Sequence, residues 1–574
     1  MTTIAEMIVT ALADEGVTHV WGVVGDALNP ITDAIRREDR IEWIGVRHEE
    51  VAAYAAGAQA QLTGTIGVCM GTVGPGSIHL LGGLYDAKKS HAPVLAICGQ
   101  VPTCEIGSEY FQEVGNDAVF GDVAEFTATV TSAAQLPRML EQAVNAAVSR
   151  PGVSVLTIPG DVAGMKLDDS SPAPRFVARD RTTVPGSAEV TDAAEALNRA
   201  EKVTMLVGAG AREAREEALQ IAEKLSAPMV LTIKAKEGLE RDNPYAVGQT
   251  GLIGNPAANA ALEGCDVLFM VGTDFPYRDW YPSGKTVIQL DSRLEHIGRR
   301  TPVDIALVGH CRPALGELLP KLISKPSDKH LKRAQEQYQL WCAGQQRLAD
   351  PGHDRKFLGR IRRHLDNPQE LIRPEALAAA VNTHAADDAI FTSDTGMSTV
   401  WLSRFLHLRG TRRLLGSYNL GSMANAMPQA LGAQILDRDR QVVAFCGDGG
   451  LMMLLGDLRT AVTYELPVTL VVFNNGRLGM VKLEQEQGGL PEFGTVLDNP
   501  DLAAVAEALG LQSRRVTDPR ELDAAVAEAL AQRRPVLLDV VTNPDEIAVP
   551  PNPTLDQAWG FAIAKVKETL NSRE

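Results

Sequence analysis

The stretch GDGGLMMLLGDLRTAVTYELPVTLVVFNN, residues 447–475, constrains the fold more than any other part of the chain. An apolar run, QVVAFC, leads into it and reads as a buried strand. Gly447, Gly449 and Gly450 then mark a sharp turn. Residues 451–464 carry apolar side chains at helical spacing, and after Pro467 a second apolar run, VTLVVF, ends at Asn474 and Asn475. Strand, helix, strand is the right-handed crossover that lays two strands parallel. Asp448 and Asn475 are therefore expected at carboxyl ends of strands, where open α/β sheets bind ligands.

One carboxylate and one amide oxygen facing the same crevice are hard ligands. They suit Mg²⁺, which keeps some waters and takes further ligands from phosphate. The glycines let backbone N–H groups close on an anion at a helix N-terminus. The expected ligand is a magnesium-bound phosphate ester. Taken singly, Gly-Asp-Gly also fits a glycine-capped helix with a solvated acid, and the order of the surrounding motifs separates the two readings.

The pattern GDG, 24 residues, NN resembles the diphosphate motif of thiamine diphosphate enzymes. The similarity runs along nearly the whole chain. VWGVVGDALN, RHEEVAAYAAGAQAQL, SEYFQE, GQTGLIG, GTDFPYRDWYP and RRLLGSYNLGSMANAMPQALGAQ all resemble stretches of the bacterial quinone-reducing pyruvate oxidases. The resemblance implies an α/β fold of three doubly wound parallel-sheet domains, oxidative decarboxylation of pyruvate to acetate and CO₂, and electron transfer through FAD to a quinone. The implied cofactors are thiamine diphosphate, Mg²⁺ and FAD. In the family each cleft draws on two chains, so at least a homodimer and a tetramer by preference are expected.

Composition agrees. A chain of 574 residues has room for three or four domains, and 45% hydrophobic with 22% charged residues is ordinary for a globular protein. A net charge of −17 argues against nucleic acid as a partner. The absence of a long apolar run and of a charged-then-apolar leader points to the cytoplasm, with peripheral contact at the inner membrane face as the alternative. Seven cysteines form no CxxC pair and read as mostly buried free thiols. Composition shifts at 168–187 and 324–374 divide the chain. The expected units are a pyrimidine-binding domain at 1–180, a central FAD domain at 185–335, a linker with an insertion at 336–374, a diphosphate and Mg²⁺ domain at 375–545, and a tail at 546–574.

The first unit supplies the acid. IEWIGVRHEE is a strand running into a small-residue helix, with Glu49 at the join. A carboxylate there also favours a helix N-terminus by about 0.3–1 kcal/mol. By resemblance, Glu49 is the acid that bonds N1′ of the cofactor's pyrimidine. That role needs a water-poor pocket, where a carboxyl group can share a proton with a weakly basic nitrogen. Glu50, one residue on, faces elsewhere on the helix. By the same resemblance Phe111 and Gln112 are the implied walls of the keto-acid pocket, with Gly25 nearby.

The last unit supplies the grip. The resemblance places Met423 beneath the bent cofactor, with Gly421 and Ser422 beside its amine. Asp448, Asn475 and the main-chain carbonyl of Arg477 are the implied Mg²⁺ ligands, set among Gly449, Gly450, Gly476, Leu478, Gly479, Met480 and Val481. In the central unit GAGA, 208–211, is an incomplete dinucleotide fingerprint. Thr250, Gly251, Leu252 and Ile253, then Thr273, Asp274, Phe275, Pro276 and Tyr277, and finally Asp291 match flavin-contacting segments. FPYRDWYP also fits an aromatic packing corner.

Acetolactate synthases carry a flavin on the same fold, so FAD alone does not establish redox function. They place Trp where this chain has Glu484, an oxidase-like acid, yet Met480 is the synthase choice where the quinone-reducing enzymes have Phe. Phosphate-linked oxidation is a further alternative. The quinone-reducing enzymes end in an amphipathic lipid-binding segment, and by motif alignment this sequence stops at LNSRE, about a dozen residues short of theirs, which puts lipid activation in doubt. DQAWGFAIAKVKETL keeps Trp559, Ile563, Val566 and Leu570 on one helical face, and the insertion RKFLGRIRRHL, 355–365, offers five basic residues to an anionic surface or to internal ion pairs.

Overall fold

The computed structural model describes residues 2–168, 172–176, 182–350, 352, 367 and 369–546. Both amphipathic stretches, 355–365 and 556–570, lie outside the described residues. Among the described residues no helix is long and apolar enough to cross a membrane.

Three parallel sheets carry the fold. The first holds β1 (His19–Gly22), β2 (Glu42–Gly45), β3 (Gly67–Gly71), β4 (Val94–Gln100), β5 (Ala124–Thr129) and β6 (Val153–Pro159) in the order 2-1-3-4-6-5. The second holds β7 (Val203–Val207), β8 (Met229–Leu231), β9 (Val267–Val271), β10 (Thr286–Asp291) and β11 (Ile305–Val308) in the order 11-10-9-7-8. The third holds β12 (Ile390–Ser393), β13 (Arg413–Gly416), β14 (Val442–Gly447), β15 (Thr469–Asn474), β16 (Gln512–Val516) and β17 (Val536–Val541) in the order 13-12-14-15-17-16. Strands such as VVAFCG and TLVVFN are largely apolar and buried almost end to end because helices cover both faces of a parallel sheet.

The first and third sheets share one strand order, a repeat with no counterpart in local sequence. Each sends a small-residue helix from its second strand, and the two helices, Glu49–Thr63 and Ala426–Leu436, pack on each other. A Cβ on Gly432 would stand 2.4 Å from the Ala55 carbonyl oxygen. The backbones thus approach more closely than any larger residue allows, and Gln429 Nε2 reaches past this contact to donate to Asp86 Oδ2, on the helix Leu81–Lys89, at 2.9 Å. One buried cluster runs through both units, from Val51, Ala52 and Ala55 to Ala430, Leu431 and Ile435.

Two expectations on local structure change. The 451–464 segment is a broken helix. Asp448–Met453 ends at Leu454, a 3-10 turn spans Leu455–Asp457, and Leu458–Thr463 resumes the helix. The polar stretch after 324 contains a 21-residue helix, Lys329–Ala349, packed against the helices Pro256–Glu263 and Pro374–His384. Its polar face hid the Leu331 and Ala334 contacts that seat it. Five of the seven cysteines are buried, as expected, while Cys104 is exposed and Cys342 half-buried.

Candidate active site

The carboxyl ends of β12, β14 and β15 form one crevice. Asp448 opens the helix after β14 and is buried. Its Oδ1 accepts the Gly449 N–H at 3.0 Å, and its Oδ2 accepts the Gly476 N–H at 2.8 Å and Asn499 Nδ2 at 2.7 Å. The carboxylate therefore ties the turn after β14 to the turn after β15. Burial pushes its pKa up to about 6, against the opposing pull of those three donors. Asn475 Oδ1 accepts the Arg477 N–H at 3.0 Å, closing a turn in which Gly476 holds φ +61. The Arg477 guanidinium pairs with Glu492 at 2.8 Å and also donates from Nη1 to the Gly476 carbonyl at 3.0 Å.

Around this turn the glycines are required by space. A Cβ on Gly449 would meet Leu497 at 3.0 Å, Leu478 at 3.3 Å and Met423 at 3.4 Å, and one on Gly450 would stand 2.5 Å from Asp394 Oδ2. Met423 thus lies against the GDGG turn. Gly421, at φ +79, donates its N–H to the Ser417 carbonyl at 2.7 Å, and Ser422 Oγ lies 2.5 Å from the Tyr54 hydroxyl on the Glu49 helix. Gly479 starts the next helix beside Met397, Met480 packs on the third unit's core, and Val481 is exposed.

Asp394 was not singled out in the sequence, although SDTG repeats the signature of an acid before glycine at the end of an apolar strand. It sits across the point where strand order reverses between β12 and β14. Its Oδ1 accepts the Ala426 N–H at 2.9 Å and its Oδ2 accepts the Gly447 N–H at 3.0 Å. Burial pushes its pKa up to about 7. It therefore joins the helix behind Met423 to the turn before Asp448.

A second group of residues gathers at the carboxyl ends of the first sheet. Glu49 is the first residue of its helix and is buried, with Oε2 3.0 Å from His79 Nδ1. The helix after β3 starts beneath it: a Cβ on Gly76 would stand 3.1 Å from Glu49 Oε1. Gly25 touches Thr72, and Gly74 touches Gln112, whose φ is +66. Phe111 beside it is 79% exposed in the single chain, so it walls nothing without a covering surface. Glu50 lies against Gly82, away from Glu49's neighbours, as expected.

In the second sheet the order places the switch point between β7 and β9. There a Cβ on Gly208 would stand 2.2 Å from the Gly272 carbonyl oxygen, which explains the glycine of GAGA. Gly251, at φ +85, abuts Phe275 and Tyr277, and Thr250 Oγ1 donates to Asn259 Oδ1 at 2.6 Å. Thr273 is buried, Leu252 is half-buried, Pro276 is exposed and Ile253 reaches the core of the third unit. Asp291 ends β10, and its Oδ1 accepts the Arg293 N–H at 2.9 Å beside His296. Asp274 spends its carboxylate on Arg299 and Arg300, so its side chain serves an ion pair. Burial, and secondarily the charge of Glu484, raises the pKa of the Tyr277 hydroxyl.

The donor set after β14 and β15 fits a magnesium diphosphate. It consists of one carboxylate, one amide oxygen and main-chain groups at glycine-rich turns. Among the described residues no three His, Cys, Asp or Glu side chains converge as a metal-binding group, and a cation here would rely on ligand oxygens as well.

Comparison with known proteins identifies the class. Residues 2–119 match the thiamine pyrophosphate enzyme N-terminal TPP binding domain, 190–318 the central domain, and 394–540 the C-terminal TPP binding domain. The chain belongs to the thiamine pyrophosphate enzyme family and is a thiamine pyrophosphate-dependent enzyme. It is 38% identical to a Bacillus subtilis protein, YdaP, named as thiamine pyrophosphate-containing, over 97% of this chain and 95% of that one. It is 33% identical to a pyruvate oxidase of Lactiplantibacillus plantarum, over 97% and 91% of the two chains. It is also 31% identical to the acetolactate synthase isozyme 2 large subunit of Escherichia coli, over 93% and 95%.

Proposed function

We propose that this enzyme decarboxylates pyruvate oxidatively to acetate and CO₂, using thiamine diphosphate, Mg²⁺ and FAD, and passes the electrons to a quinone. The observation that supports oxidation is Glu484, an acid where the synthases place Trp, carried on the helix Gly479–Gln487 that follows the Asn475 turn. Bound thiamine diphosphate supplies an acidic carbon that adds to a ketone and then stores the electron pair left by CO₂.

The chain's own residues divide the remaining work. Asp448, Asn475 and the Arg477 carbonyl hold Mg²⁺, while the start of the helix that Asp448 opens receives the diphosphate. Gly421, Ser422 and Met423 shape the floor beneath the cofactor. Glu49, with His79 against its Oε2, is the residue that would exchange a proton with the pyrimidine nitrogen of the bound cofactor. Gly25, Phe111 and Gln112 enclose the keto acid and exclude water, together with a second copy of the chain that covers Phe111. Thr250–Ile253, Thr273–Tyr277 and Asp291 receive FAD. On this reading the working units are 1–180, 185–335 and 375–545, assembled as a dimer or tetramer.

Carboligation to acetolactate is the second reading, favoured by Met480 and by the synthase relative. Anaerobic mixing of FAD-loaded enzyme with pyruvate separates the two. Rapid bleaching of the flavin absorbance is expected; a silent flavin with accumulating acetolactate would reassign the enzyme as a synthase.

A further inference from the structure

We infer that Asp457 is a positioning residue for Glu49, acting from the connection between Asp448 and Asn475 across the contact between the first and third units. Asp457 is 1% exposed and its two oxygens are fully engaged. Oδ1 accepts the Arg47 N–H at 2.9 Å and the Thr460 hydroxyl at 2.7 Å, and Oδ2 accepts the His48 N–H at 3.1 Å. These two amides are the last before Glu49. The Tyr464 hydroxyl accepts the Gly45 N–H at 2.6 Å, so a second side chain of the same connection holds the strand end that precedes them.

The hold reaches the carboxyl itself by a second route. His48, fixed at its N–H by Asp457, stacks on His79 with ring centroids 4.6 Å apart, and His79 Nδ1 meets Glu49 Oε2. His48 Nδ1 also accepts the Glu50 N–H at 3.2 Å, capping the helix that begins at Glu49. Backbone and side chain of Glu49 are therefore both referred to Asp457. The break in the 448–463 helix gives this its cause, because the 3-10 turn Leu455–Asp457 is what delivers Asp457 to the contact. The connection that grips a diphosphate at Asp448 thus aims the acid of the other thiamine-binding unit nine residues later.

This inference rests on the proposed role of Glu49, and the test separates the two. Asp457→Ala is expected to speed hydrogen exchange at the Arg47 and His48 amides by about tenfold or more. It should slow exchange of the C2 proton of bound thiamine diphosphate, followed by NMR, by about 10- to 100-fold, while magnesium-dependent cofactor affinity stays within about threefold. Asp457→Asn, which keeps one acceptor for one of the two amides, should fall between the parent and Ala, and serves alone if the Ala variant does not fold. Slow C2 exchange in Glu49→Gln with parental exchange in both Asp457 variants would overturn the inference and leave the Glu49 reading standing. Parental exchange in Glu49→Gln would remove both.

Discussion

At the scale of the residue, the two acids of the third unit differ in what binds them. Asp394 has backbone donors on both oxygens, from two different elements. Asp448 has donors too, yet it opens a helix at a strand end, and burial makes its charge costly without a cation. Asp448→Ala is therefore expected to weaken magnesium-dependent binding of thiamine diphosphate by at least about 100-fold in calorimetry. The loss of donors' partners at Gly476 and Asn499, about 1–3 kcal/mol, and the relief of a buried charge offset each other in the cofactor-free protein. Its melting temperature should move little. Unchanged cofactor affinity would remove Asp448 from the metal site.

At the scale of the element, the crossing of the helices Glu49–Thr63 and Ala426–Leu436 decides where both functional segments sit. Gly432 meets the Ala55 carbonyl oxygen and Cα at 2.4 and 2.8 Å, both backbone atoms that cannot step aside. Gly57, on the facing helix, would place a Cβ at an ordinary 3.4 Å from Ala87. Gly432→Ala should thus destabilise by about 3 kcal/mol or more through overpacking, whereas Gly57→Ala should be neutral or stabilising by up to about 1 kcal/mol through helix propensity. Differential scanning calorimetry of the two variants reads the contrast, and equal transitions would mean the helices can slide apart. The pairing was not legible in the sequence. Both helices show only a run of small residues, and nothing local states which partner such a run will meet.

At the scale of the whole molecule, Glu49 and Asp448 lie on different units with the same strand order. The proposed dimer puts the Glu49 of one chain over the diphosphate of the other. Mixing Glu49→Gln with Asp448→Ala, each inactive alone, then gives hybrids with one doubly defective and one intact cleft. Random reassociation makes half the dimers hybrid, so activity should recover to about a quarter of the parent's. No recovery after verified subunit exchange would place each cleft within a single chain.

The sequence by itself determined the class of fold, the ends of the strands that carry Asp448, Asn475 and Glu49, and the glycines at their turns. These are local matters: apolar runs of strand length, Gly where φ or space demands it, an acid at a helix start. It also held the signature of Asp394, which local reading could have found. The tertiary structure alone decided which helices cross at Gly432, that the helix after Asp448 breaks to deliver Asp457 to the Arg47 and His48 amides, and that Asp274 belongs to Arg299 and Arg300. Each of these is a pairing between residues far apart in the chain, fixed by the packing of whole sheets and helices, and no periodicity within one segment carries the identity of its partner.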